Sequence, residues 1–458
     1  MNAPLTREGG QGAAGTLPDR ALVVGLGETG LSAARHLVRR GLRVTVVDSR
    51  PEPPGLARLR AELPEVAVHT GGWREALFRD PGCLVLSPGV PLDEPPVAAA
   101  RARGVPLLGD LDLFMGSARA PVLAVTGSNG KSTVTALAGE MLSAAGRAVR
   151  VGGNIGTPML DLLEGPAPAF YLLELSSFQL ERAAPPACHA AAVLNFSADH
   201  LDRHAGLADY AAAKARIFQR SGLCIYHRDD PAVVAMLPAG RRAVGFGLGA
   251  PAGPGDYGRR MHDGGTWLCR GGAPLLRAAE LQLAGEHNQL NVLAALALAE
   301  AAGADLAAAA AAARRFAGLP HRAQRVAERR GVVWIDDSKG TNVGATCAAL
   351  AGLPGPVVLI AGGEGKGQDF APLARAARGR LRAAVCIGRD GPRIAEALQG
   401  VAPVLQAGDM DAAVARAAAL AQAGDQVLLS PACASFDMFR DYHERGEAFA
   451  AAVGRLPA

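Results

Sequence analysis

Pro121-Val-Leu-Ala-Val125 runs straight into Thr126-Gly127-Ser128-Asn129-Gly130-Lys131-Ser132-Thr133. The apolar run reads as a buried strand, and the glycine-containing turn after it opens a helix at Ser132. Strand, glycine turn and helix in that order make a cradle for phosphate. The amides of residues 127–133 face the anion, Lys131 reaches its outer oxygens, and the Ser132 hydroxyl can ligate Mg²⁺. The full GxxxxGK[ST] pattern would need glycine at position 125, where Val125 stands, so the loop is a shortened variant.

The same alternation extends outward on both sides. Upstream, Ala21-Leu-Val-Val24 is a strand, Gly25-Leu-Gly-Glu-Thr-Gly30 a tight turn, Leu31 to Arg40 a helix, and Arg43 to Val47 a strand ending at Asp48. The GxGxxG spacing is compatible with a pyrophosphate on a helix N-terminus, with a nicotinamide site, or with a plain turn. Downstream, Tyr171-Leu-Leu-Glu-Leu175 and Ala191-Ala-Val-Leu-Asn195 are buried strands, and residues 238–274, rich in Gly and Pro, read as exposed hairpins or loops. Helices from Asn288 to about Ala317 close this part. After Leu319-Pro-His-Arg322, strands Val332–Ile335, Val357–Ile360, Ala384–Ile387 and Gln426–Leu429 alternate with helices. The expectation is an α/β protein of three domains: a tail over 1–20, a Rossmann-like domain over 21–112, a central phosphate-loop ATPase domain with a parallel sheet over 113–318, and a Rossmann-like domain over 319–458.

Composition narrows the function classes. With 458 residues, 49% of them apolar, the chain can build several cores. The net charge of +4 is spread over scattered arginines, which argues against a nucleic-acid face. The seven cysteines are far apart, with no CxxC, which suits reduced thiols in a cytoplasm. No segment reads as a signal peptide or membrane span. Of 47 basic residues only four are lysines: Lys131, Lys214, Lys339 and Lys366. On a solvated face Lys and Arg are nearly exchangeable. Where a compact ammonium or a nucleophilic amine is needed they are not, so the four survivors mark functional positions.

Other polar residues gather at strand ends. Glu174 sits in a buried run and needs a partner such as a divalent cation. Asp199, His200, Asp202 and His204 crowd one turn after the next strand. Lys214 lies on a helix that otherwise uses Arg216 and Arg220. Asp337, Lys339 and Thr341, then Lys366 in Ala361-Gly-Gly-Glu-Gly-Lys-Gly367, then Ser435 in Ser430-Pro-Ala-Cys-Ala-Ser-Phe-Asp437, all follow strands. Open α/β sheets bind ligands at that end.

Taken together, GSNGKST, LELSSFQLE, NFSADHLDRH, YAAAKARIF, GEHNQLN, LPHRAQ, DDSKGTN, GGEGKG and LSPACASFDMF, in this order, resemble the Mur ligases over essentially the whole chain after the tail. Within that family they look like the members that add D-glutamate. No DNPR-type diaminopimelate signature is present, and a nicotinamide oxidoreductase would leave residues 127–133 and the four lysines unexplained.

The resemblance implies an ATP-driven ligase of peptidoglycan synthesis that joins D-glutamate to UDP-N-acetylmuramoyl-L-alanine through an acyl phosphate. It implies a catalytic set of Lys131, His200, Lys214 and Lys339. ATP would be held by Gly127, Ser128, Asn129, Gly130, Lys131, Ser132, Thr133, Asn288, Asn291, Arg322 and Asp337. Thr29, Ser49, Arg50, Ser87 and Asn154 would contact the UDP-sugar, and Lys339, Thr341, Lys366, Ser435 and Tyr442 the D-glutamate. Two Mg²⁺ sites would use Ser132, Glu174, His200 and Lys214, the last carrying CO₂ as a carbamate. A monomer is expected, and because the ligands come from different domains, so is domain closure. Two positions depart from the family's pattern: Glu364 stands where Asp is usual and Tyr442 where Phe is usual.

Overall fold

The structure, a computed structural model, describes residues 18–200, 203–283 and 285–457. Positions 1–17 of the expected tail and Asp202 lie outside the described residues; Arg20 already opens the first strand. Three sheets follow one another along the chain.

The first is all parallel, in the order β3-β2-β1-β4-β5: β1 (Arg20–Val24), β2 (Arg43–Asp48), β3 (Ala67–Thr70), β4 (Cys83–Leu86) and β5 (Leu107–Leu108). Strand β1 is central and buried from Ala21 to Val24, as a strand covered on both faces must be.

The second sheet has nine strands in the order β14-β13-β12-β11-β10-β9-β6-β8-β7. These are β6 (Val122–Thr126), β7 (Val149–Gly153), β8 (Phe170–Glu174), β9 (Ala190–Val193), β10 (Leu223–His227), β11 (Ala243–Phe246), β12 (Tyr257–His262), β13 (Gly265–Arg270) and β14 (Ala273–Arg277). Strands β8, β6, β9, β10, β11 and β12 pair in parallel, and β12–β14 form an antiparallel meander. The 238–274 stretch is therefore more than exposed hairpins. Phe246, Tyr257 and Leu268 enter the main core, where the helices Lys131–Ala144, Glu286–Ala301 and Leu306–Arg315 cover the sheet. Ala295, Ala299, Ala309 and Ala313 are all buried there; small side chains at these positions let the helices approach closely in a chain poor in aromatics.

The third sheet, β15-β16-β20-β17-β18-β19, consists of β15 (Gln324–Arg329), β16 (Val332–Asp336), β17 (Val357–Gly362), β18 (Leu381–Ile387), β19 (Val404–Gln406) and β20 (Gln426–Leu429). Only the β15–β16 pair is antiparallel.

The described residues form two compact units. One comprises residues up to Pro121 with Gly152–Pro168 and Leu175–Ala187; the other comprises Val122–Val151, Ala169–Glu174 and Cys188 onward. The segments after β7 and β8 thus pack with the first sheet, while the second and third sheets share a unit. No helix among the described residues is long and apolar enough to cross a membrane, and all seven cysteines are free thiols.

Candidate active site

The glycine turn at 127–130 leaves the carboxyl end of β6, which lies between β8 and β9, and opens the helix Lys131–Ala144. Gly130 has φ 81, and a Cβ there would meet Asn291 Oδ1 at 2.5 Å. Glycine is needed for the left-handed backbone and for the close approach of Asn291. The loop is pinned from the segment after β9: Ser128 N donates to Asn195 O (3.0 Å), Asn129 N to Asn195 Oδ1 (2.8 Å), and Ser128 Oγ to Ser197 O (2.9 Å). Lys131 Nζ folds back onto the carbonyls of Gly127 (2.9 Å) and Ser128 (3.0 Å). Lys214 Nζ reaches the same Gly127 carbonyl at 2.8 Å, so two amines meet on one oxygen.

Burial lowers the pKa of both amines. Glu174 and Asp199 oppose that shift at Lys131. Lys214 is only 1% exposed, and the charge of Lys131 adds to the effect of burial, so its amine sits well below the ordinary lysine range. Its Nζ also lies 4.5 Å over the Tyr210 ring, one helical turn back on the helix Leu207–Ala215. His200 follows β9 with left-handed backbone (φ 54) and its imidazole beside Asp199. Burial, with Lys366, Lys131 and Lys214 nearby, holds it down to about 4 against the pull of Asp199. It is therefore neutral near pH 7, with a lone pair to offer. His204, by contrast, turns its Nδ1 to Asp209 at 3.1 Å.

The opposite wall comes from the third sheet. Arg322 Nη2 donates to Ser132 Oγ at 2.7 Å, and Asp337 accepts from Ser430 Oγ at 2.7 Å. Gly130, Thr133, Asn288, Asn291, Arg322 and Asp337 line a cavity of about 300 Å³. It continues against the side chains of Phe246, His287 and Leu290, so it is polar at the loop end and partly apolar beyond. That combination suits a phosphate chain with a flat base attached.

Lys339 and Thr341 follow β16, Lys366 follows β17, and Ser435 follows β20. Lys366 (φ 50) and Ala432 (φ 58) hold left-handed backbone, the strain that tends to gather at binding sites. Lys339 Nζ lies 3.7 Å from the centre of the Tyr442 ring, so Tyr442 presents the same aromatic face that Phe would. Glu364 Oε1 accepts from Arg389 Nη1 at 2.9 Å, and its backbone pairs with Ala434 across the two loops. All four lysines and the central anions thus lie in one compact unit, on elements of two sheets.

Thr29, Ser49, Arg50, Ser87 and Asn154 all belong to the other unit. Thr29 and Ser87 line one narrow crevice with Asp110. Ser87 Oγ donates to Gly25 O at 2.9 Å. Asp48 binds Leu26 N (2.7 Å), Arg50 N (2.9 Å) and Arg50 Nη2 (2.7 Å). Burial would raise the Asp48 carboxyl, but the Arg50 guanidinium and the two amides outweigh it and hold the group below its usual value. Asn154 is exposed on the loop after β7.

Sequence reasoning missed several supporting residues. Arg445, 1% exposed on the helix Tyr442–Gly454, donates to Ser338 Oγ (3.0 Å), Ser338 O (2.7 Å) and Cys433 O (3.1 Å), tying two of the strand-end loops together. Arg182 donates to the carbonyls of Ser87 (3.2 Å) and Val90. Asn342 joins Asn129 and Asp199. Asn342, as the last residue of DDSKGTN before a helix, carried a capping signal; the two arginines carried none.

Burial, reinforced by Arg322, Lys131 and Lys366, pushes Lys339 from 10.5 down to about 7, and burial pushes Asp337 up to about 7. For Lys339 the unfolded chain binds more protons between about pH 7 and 10, so this group's contribution to stability improves as pH rises across that window. An anion entering the site favours the protonated form of both groups. ATP binding at pH 8 is therefore expected to take up protons, read by calorimetry in buffers of different ionisation enthalpy. Binding with no buffer dependence would contradict these shifts.

Three family models match the chain in order: the Mur ligase MurD-like N-terminal domain over residues 19–109, the Mur ligase middle domain over 125–299, and the Mur ligase glutamate ligase domain over 321–433. The UDP-N-acetylmuramoylalanine--D-glutamate ligase of Nitrosococcus oceani is 51% identical over 438 residues, covering 95% of this chain and 96% of that one. The protein of the same name from Methylobacillus flagellatus is 52% identical over 441 residues, covering 95% and 97%. Among solved structures, the UDP-N-acetylmuramate-alanine ligase MurC of Thermotoga maritima aligns over 95% of this chain and 99% of that one, with TM-score 0.62 and 21% identity, a likeness of fold.

Proposed function

Since the chain belongs to the Mur ligase family, we propose that it is the ATP-dependent ligase that adds D-glutamate to UDP-N-acetylmuramoyl-L-alanine in peptidoglycan synthesis. The γ-phosphoryl group of ATP passes to the alanyl carboxylate, giving an acyl phosphate and ADP. The amine of D-glutamate attacks the acyl carbon, loses a proton, and the tetrahedral adduct expels inorganic phosphate. No protein nucleophile is required, so catalysis consists of positioning and charge neutralisation.

Supporting this reading is the convergence of the loop at 127–133 with Asn291, Arg322 and Asp337 on one cavity, beside loops carrying Lys339 and Lys366. Lys131, Ser132 and the loop amides hold the ATP phosphates; Asn288, Asn291, Arg322 and Asp337 hold the rest of the nucleotide. Lys339 steadies the transferring phosphoryl group, and with Thr341, Lys366, Ser435 and Tyr442 it binds D-glutamate. Thr29, Ser49, Arg50, Ser87 and Asn154 hold the UDP-sugar. The chain is read as three domains over 21–112, 113–318 and 319–458, with Asn154 reaching the UDP-sugar from the second and Arg322 and Asp337 reaching the nucleotide from the third, in a cytoplasmic monomer.

The donor set fits magnesium: Glu174 is a buried carboxylate and Ser132 a buried hydroxyl, both hard oxygen donors beside the phosphate loop. Bound there and at a second site beside His200, the metal would supply positive charge at the transferring phosphate. Lys214 suits carbamylation. Burial and the charge of Lys131 hold its amine well below the ordinary lysine range, which favours the unprotonated form whose lone pair adds to CO₂, forming an N–C bond and releasing a proton. The resulting anion complements neutral His200 at the second metal site.

The deciding experiment measures phosphate release from ATP with UDP-N-acetylmuramoyl-L-alanine supplied and amino acids varied singly. Release with D-glutamate alone is expected. Release indifferent to the amino acid would overturn the assignment.

A further inference from the structure

Asn342 stands between the loop carrying Lys339 and Thr341 and the phosphate loop, and it is only 3% exposed. Its Oδ1 accepts from Ala345 N at 2.8 Å, capping the helix Val343–Gly352, and also lies 3.3 Å from Asn129 Nδ2. Its Nδ2 donates to Asn129 Oδ1 and to Asp199 Oδ2, each at 3.0 Å. Both partners are themselves fixed. Asn129 is held through its backbone by Asn195, with N donating at 2.8 Å and O accepting at 3.0 Å. Asp199 Oδ1 accepts from His200 N at 2.9 Å.

We propose that Asn342 is a positioning residue for the ligation. It holds the Lys339–Thr341 loop in register with the phosphate loop and with the turn that carries His200. Resting on the functional reading above, this means Asn342 aligns the amino-acid end of the reaction with the phosphate end. An amide suits the task because one side chain must accept at the helix cap and donate to two oxygens at once. Aspartate caps a helix as well as asparagine does but has no donor, and it would face the Asp199 carboxylate. Serine also caps, but it is too short to bridge. Cap and bridge can therefore be separated by substitution.

The test compares Asn342→Asp and Asn342→Ser in the full-length chain. Because the cap survives and no charge is added, Asn342→Ser is expected to keep a thermal midpoint within about 2 °C of the parent protein, whereas Asn342→Asp, which sets a second carboxylate against Asp199, is expected to fall further. Turnover should fall by about 10²-fold, the scale of a small misplacement of reacting groups, while KM for ATP stays within about threefold and KM for D-glutamate rises. If Asn342→Asp does not fold, Asn342→Ser, which adds no charge, carries the same reading. Combining Asn342→Asp with Asp199→Asn restores a donor across the gap. The pair should lose less turnover than the product of the two single losses.

Turnover within about threefold of the parent in the single variants would overturn the inference, as would activity lost only in step with the thermal midpoint, or single losses that simply multiply. Failure of the functional reading would look different: the parent protein itself would release phosphate without regard to D-glutamate.

Discussion

Lys214→Ala is expected to lower turnover by about 10³-fold, the upper scale for removing one charge-stabilising group from a closed site. Lys214→Arg should be no better, because a guanidinium stays protonated and cannot add CO₂. The geometry makes the contrast sharp. Lys214 is 1% exposed, its Nζ is 2.8 Å from the Gly127 carbonyl under the phosphate loop, and its neighbours Lys131 and Tyr210 leave little room for a forked side chain. Formate or acetate should restore part of the activity of Lys214→Ala by occupying the vacated space with a carboxylate. It should do nothing for Lys214→Arg. A well-folded Lys214→Ala that ignores added carboxylates would rule out a carbamate, and an active Lys214→Arg would show that any cation suffices.

Gly30→Ala should destabilise the unit built on the first sheet by about 2–3 kcal/mol. Propensity alone predicts the opposite, since Gly30 lies in the first turn of the helix Glu28–Arg39 and alanine gains up to about 1 kcal/mol there. Sterics decide the sign. An added Cβ would sit 1.9 Å from Gly25 O and 2.9 Å from Ser87 Oγ. Gly25 O is already fixed by that hydroxyl at 2.9 Å, so the turn cannot retreat without losing the bond. Gly27, whose Cβ would meet nothing within 4 Å, provides the comparison; alanine there should cost less than about 1 kcal/mol, the loss of a preferred cap residue. Chemical denaturation of the three proteins measures the difference. Equal stability of Gly30→Ala and Gly27→Ala would refute the steric account.

Local pattern settles much of this protein. Hydrophobic strands ending in glycine turns, with helices after them, gave three α/β sheets, and the turn at 127–133 was legible because its chemistry sits in seven consecutive residues. The surviving lysines pointed to positions 131, 214, 339 and 366 through composition alone. The meander of β12–β14 reads as surface because Gly and Pro report where a chain turns, whereas burial of Tyr257 depends on the distant helix Glu286–Ala301, whose Glu300 accepts from the tyrosine hydroxyl at 2.5 Å. Arg445, Arg182 and the bridging role of Asn342 were invisible for the same reason: each is defined by partners far away in sequence, such as Asp199 for Asn342. The shifted groups belong to this second class too. Nothing in the letters distinguishes a lysine near 10.5 from Lys339 at about 7, because desolvation and neighbouring charge exist only once the chain has packed. Residue order settles which groups are present and which turns carry them; packing settles which of them meet, how dry the meeting place is, and therefore which protons they hold.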